Sequence, residues 1–122
     1  MKRKTKAESF APLSDVVFQL LVILHDGERH GYRLAKQLRG KLGTRRIAPG
    51  NLYRTLRSML DQGLIEESGW RPDPGIDDER RRYFCITDLG RQATRSEALR
   101  LESLLESARS RRILEPKGEA SR

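Results

Sequence analysis

Pro49-Gly50-Asn51-Leu52-Tyr53-Arg54-Thr55-Leu56-Arg57-Ser58-Met59-Leu60-Asp61-Gln62-Gly63-Leu64-Ile65-Glu66-Glu67-Ser68 begins with the pattern of a helix and ends with that of a strand. Proline suits the first helical position, where a missing N–H is no loss. Gly63 supplies the left-handed residue on which helices commonly stop. Between them Leu52, Leu56, Met59 and Leu60 recur at helical spacing and predict a buried stripe. The opposite face carries Asn51, Arg54, Thr55 and Ser58, with Tyr53 and Arg57 on its flanks. After Gly63 the helical period is lost, and Leu64 to Ser68 reads as a short strand.

Upstream, two more helices are expected. Ser14 is a good N-cap, with Asp15 complementing the helix dipole. Val16, Val17, Leu20, Leu21 and Leu24 follow at helical spacing, and Asp26-Gly27 ends the run. A second helix is predicted from about Gly31 to Arg39, with Tyr32, Leu34, Ala35 and Leu38 inward, then a loop between Gly40 and Gly43 that continues through Arg45 and Arg46 to Ile47. Downstream, Arg71-Pro72-Asp73-Pro74-Gly75 is turn chemistry, and Arg80 to Ile86 reads as a returning strand. Thr87 caps a long charged helix expected to reach Leu114 before Pro116. The order predicts a mainly α fold with a small β-hairpin: a winged helix-turn-helix over residues 13–86 and a long C-terminal helix over 87–114. Residues 1–12 read as a flexible basic arm and 115–122 as a disordered tail.

The winged order gives the polar face of the third helix a use. Arginine pairs bidentately with guanine and asparagine with adenine in the major groove of double-stranded DNA. The helix N-terminus and the preceding Arg45 and Arg46 suit phosphate. Arg80, Arg81 and Arg82 would make a second contact from the hairpin, although Asp77, Asp78 and Glu79 in the same loop compete for them. A formal net charge of +8 and a pI near 10.2 agree with a polyanionic partner. A winged helix that binds only proteins is the alternative, but such a face would be expected to show a larger apolar anchor. An anionic-membrane binder would need an amphipathic helix beside the basic arm, and none is evident.

Other classes find little in the 122 residues. The basic start followed by the apolar run Val16 to Leu24 resembles a signal peptide, but Glu8, Pro12 and Asp15 intervene and no small-x-small site follows. The run is too short to span a bilayer. The single cysteine, Cys85, fits a reducing cytoplasm and reads as a partly buried packing residue. His25 and His30 lack companions at metal spacing, and no catalytic constellation is present, so neither a metal, a cofactor nor an enzyme is expected.

Taken jointly, His30-Gly31-Tyr32, Ala48-Pro49-Gly50-Asn51-Leu52-Tyr53, Leu56, Gly63-Leu64-Ile65, Arg81-Arg82-Tyr83-Phe84, Ile86-Thr87 and Gly90 resemble the signature of PadR-type transcriptional regulators, in order and spacing. The single C-terminal helix is similar to the short subfamily. The resemblance implies a dimeric repressor whose third helix enters the major groove, with Tyr32 and Tyr53 close to the DNA backbone. It implies a dimer built from the first and last helices. Ala48 stands where members commonly carry serine, and no aromatic residue follows Asp88, so an aromatic drug-binding pore is not expected. Whether any small-molecule effector exists is left open.

The apolar pattern also asks for a homodimer. A lone winged domain cannot cover the first helix on every side, which leaves Phe18, Val22 and Ile23 in need of a second surface. On the last helix Leu89, Ala93, Leu101, Leu104, Leu105 and Ala108 form a stripe longer than a small domain can bury. Arg91, Arg95, Glu97, Arg100 and Glu102 are expected to be its solvated surroundings. Phe18, Val22, Ile23, Leu101, Leu104, Leu105 and Ala108 are therefore the candidate interface.

Overall fold

A computed structural model describes residues 5–27, 29–41, 49–68 and 82–116. They form a winged helix-turn-helix followed by a long helix: α1 (Asp15–Leu24), β1 (Arg29–His30), α2 (Gly31–Lys41), α3 (Pro49–Asp61), β2 (Ile65–Ser68), β3 (Tyr83–Ile86) and α4 (Asp88–Ser110). Leu20, Leu21 and Leu24 of α1, Leu34 and Leu38 of α2, and Leu52, Leu56 and Met59 of α3 share one core with Leu64, Ile65, Phe84 and Ile86. Ser14 caps α1 by accepting the Val17 N–H at 3.2 Å, and Gly27 (φ 131°) turns the chain after it.

The α3–β2 corner is a Schellman turn. The Gly63 N–H donates to the Leu60 carbonyl at 3.1 Å and the Leu64 N–H to the Met59 carbonyl at 3.0 Å. Gly63 holds φ at 78°, where a side chain would be strained. Leu64 and Met59, joined by this bond, are both buried.

The sheet has three strands where a two-stranded hairpin was expected. β3 lies in the centre, antiparallel to β1 (Arg29↔Phe84) and to β2 (Ile65↔Ile86). β1 is two polar residues directly ahead of a helix, too short to show a period. The returning strand starts at Tyr83, with Arg82 ahead of it, rather than at Arg80.

Residues 5–12 differ from a free arm. Glu8–Phe10 is a 3-10 helix packed on α4, Ala7 is buried, and Phe10 and Leu13 lie against the core. Thr5 Oγ1 accepts the Glu8 N–H at 3.1 Å and donates to Glu8 Oε1 at 3.0 Å, which starts the turn. The four apolar residues from Ala7 to Leu13 were too short a run, broken by Pro12, to read as a packing face.

Helix α4 is clasped at its base. Thr87 Oγ1 accepts the Gly90 N–H at 3.0 Å and lies 2.6 Å from the Gly63 carbonyl and 3.0 Å from that of Leu64. The helix ends at Ser110 instead of reaching Leu114. A second Schellman turn stops it, with Ile113 N–H to the Ala108 carbonyl at 2.9 Å and Arg112 at φ 60°. Arginine at the position where glycine is usual hid this stop from the sequence.

Glu97 is also a correction. Expected on the solvated side of α4, it is 1% exposed. Its Oε2 accepts the Leu13 N–H at 3.2 Å, and Arg100 donates to its two oxygens from Nε and Nη2, each at 2.7 Å. The Arg100 hydrogen bonds hold the Glu97 carboxyl below the usual carboxylate range, helped by the Leu13 N–H and opposed by desolvation. Because the folded pKa is the lower one, the ion's stabilisation is complete above the ordinary glutamate pKa. It is lost as pH falls through the lowered value. Glu97→Gln is therefore expected to melt below wild type at neutral pH, with the gap closing in acid. Thermal melts followed by circular dichroism across that range check this, and a gap that stays constant would contradict it.

Candidate nucleic-acid interface

Helix α3 divides cleanly. Leu52, Leu56 and Met59 are buried, while Asn51, Arg54, Arg57 and Ser58 are exposed. The division follows from the 3.6-residue period, which puts the polar positions about half a turn from the leucines. Arg54 Nη1 lies 3.5 Å from Asn51 Oδ1, so the two groups suited to reading bases sit side by side. Among the described side chains, no large apolar one accompanies them on the exposed side of α3.

Two residues of that helix are engaged inward. Thr55 is half-buried, and its hydroxyl donates to the Asn51 carbonyl at 2.8 Å, which commits its proton to the helix itself. Tyr53 is half-buried against the core. Arg33 and Lys36, which no motif or spacing singles out, are exposed on α2, the first helix of the pair.

The wing contributes Arg82, which is exposed. Its Nε lies 3.2 Å from Glu67 Oε1 on the neighbouring strand. Cross-strand pairing brings Glu67 to Arg82 from β2, while the acids expected to compete from the hairpin loop lie outside the described residues. An ion pair this exposed is worth only about 0.2–1 kcal/mol, little against the pull of a phosphate. Arg45, Arg46, Arg80, Arg81, Asp77, Asp78, Glu79 and the side chain of Tyr32 lie outside the described residues.

A second surface runs along α1 and α4. Phe18, Ala98, Leu101, Glu102, Leu105 and Arg109 line a groove of about 210 Å³. Val22 is exposed beside it on α1, Leu104 and Leu105 are 57% and 45% exposed, and Ala108 is partly covered. Ile23 departs from the expected interface: at 4% exposed it belongs to the core of its own chain. The helical period left it ambiguous, because α1 is apolar on nearly every side. No helix among the described residues is long and apolar enough to cross a membrane.

These features can be set beside known proteins. The model of the Transcriptional regulator PadR-like family matches residues 20–96, from the middle of α1 to the first half of α4. No curated protein matches the sequence. Among solved structures, a PadR family transcription regulator from hypervirulent Clostridium difficile superposes with a TM-score of 0.67 at 18% identity, over 80% of this chain and 97% of that one. A PadR-like transcriptional regulator from Bacillus cereus does so with a TM-score of 0.61 at 25% identity, over 84% and 93%. Bacillus subtilis PadR, solved in complex with operator DNA, matches with a TM-score of 0.59 at 20% identity, over 70% of this chain and 48% of that one. With well over half its length inside the family model, and the winged fold and long final helix in place, the chain belongs to the PadR-like family of transcriptional regulators.

Proposed function

We propose that this regulator is a cytoplasmic repressor that binds a pseudo-palindromic operator in double-stranded DNA as a homodimer, with α3 in the major groove. The observation that carries the reading is the split of α3 into a fully buried leucine face and an exposed face of Asn51, Arg54, Arg57 and Ser58. The Bacillus subtilis relative bound to its operator supports the same use of the fold. The groove at Phe18, Leu101 and Leu105, with exposed Val22 and Leu104 beside it, supplies an apolar surface for a second copy. Two-fold pairing there would place the recognition helices about 34–36 Å apart, one turn of DNA.

Arg54→Ala tests the reading. It is expected to weaken binding to a selected operator by about 1–3 kcal/mol and to relax preference at one base of each half-site. Titrations against the operator and against random duplex at the same salt make the measurement. Equal losses on the two would reduce Arg54 to a phosphate contact. No binding to either by the wild-type chain would refute DNA binding altogether.

A further inference from the structure

Glu97 is the last buried side chain of α4; from Ala98 to Ser110 every side chain is exposed or only partly covered. Up to that point the helix is tied to the winged domain twice. Thr87 and Gly90 hold its base to the Gly63-Leu64 corner. About two to three turns further on, the Glu97 carboxylate takes the Leu13 N–H, one residue ahead of the N-cap of α1, and is itself braced by Arg100. The two ties are about 10–15 Å apart along the helix, enough to fix its direction as well as its position. Beyond them, residues 98–110 extend for about 20 Å.

We propose that Glu97 is a specificity-determining positioning residue: by pinning α4 to the foot of α1, it sets the angle at which the dimerising half of α4 leaves the winged domain, and so the half-site spacing the dimer accepts. The inference rests on the dimeric, operator-binding reading above. A turn of about 10° at the foot of a lever about 20 Å long moves its far end by about 3.5 Å, roughly the rise of one base pair. Packing alone would tolerate such a slide, because apolar contact is not directional. Three donors on one carboxylate fix distance and direction together. A buried carboxylate is tolerated when bonded in this way, and registry is the best-attested use of such groups.

The test uses the full chain and duplexes carrying two selected half-sites at spacings from two base pairs shorter to two longer, beside a duplex with a single half-site. Wild type is expected to prefer one spacing by about 10-fold or more over its neighbours. Glu97→Gln should keep the dimer mass in light scattering and the single-half-site affinity, while the spacing preference shrinks to about 3-fold or less. A purely stabilising role would leave the spacing profile unmoved. Where Glu97→Gln does not fold at the assay temperature, Arg100→Gln, which unbraces the carboxylate but keeps it, carries the same expectation. A dimer whose variants retain the wild-type profile overturns this inference alone. A wild-type monomer, or one that ignores DNA, overturns the operator-binding reading and the inference with it.

Discussion

Gly90→Ala is expected to destabilise the chain by about 3 kcal/mol or more, lowering the melting temperature by more than about 10 °C. On an exposed helix the same change would stabilise by about 1 kcal/mol, since alanine is the better helix former. Here the sign reverses because of what Gly90 faces. A methyl group there would overlap the Leu64 carbonyl oxygen, lie 2.8 Å from Ile86 Cγ1 and lie 3.1 Å from the Leu64 carbonyl carbon. Two of those three are backbone atoms of the α3–β2 corner and cannot rotate away. Relief requires α4 to lift off the corner, which also pulls on the Thr87 hydroxyl seated against the carbonyls of Gly63 and Leu64. Denaturant or thermal unfolding checks the value; a neutral or stabilising Gly90→Ala would show that α4 does not seat on this corner.

The second large effect is expected from charging the exposed apolar surface of α4. Leu104 is more than half exposed, and Leu101 lines the groove shared with Phe18 of α1. A second copy seated there would bury these side chains, and a carboxylate without a partner in such an interface costs several kcal/mol. The double variant Leu101→Glu, Leu104→Glu should therefore run at half the wild-type mass in light scattering. It should also bind a two-half-site operator about 100-fold more weakly, because the second recognition helix is no longer held at high effective concentration. The winged core, which contains neither residue, should melt nearly as in wild type. A variant that stays dimeric would move the interface elsewhere.

Legibility in the sequence followed the strength of local signals. α3 was readable because a proline, four apolar residues at helical spacing and a glycine agree with one another. Ser14 and Thr87 marked helix starts by side-chain chemistry that acts within three residues. β1 was not readable, since its two residues pair with β3 more than fifty positions away and carry no pattern of their own. Glu97 failed for a similar reason. Its burial depends on Leu13, 84 residues distant, and a glutamate among arginines on a long helix ordinarily faces water. Ile23 shows the limit of periodicity on a helix apolar all round: the pattern says that a face is covered, not by what. At the candidate interface, Asn51 and Arg54 could be placed from spacing alone. The inward turn of the Thr55 hydroxyl and the pairing of Arg82 with Glu67 required coordinates.

Selection from a random duplex pool tests directly whether α3 reads DNA. The full chain and its Arg54→Ala variant would be carried through rounds of capture and sequencing at one low salt concentration of about 50 mM, where phosphate contacts are strong. Wild type should enrich a pseudo-palindrome with half-site centres about 10–10.5 base pairs apart or a multiple of that. Arg54→Ala should enrich the same frame with one position in each half-site relaxed. A pool that stays random, or duplex that is not retained at all, would contradict the assignment of α3 as a recognition helix.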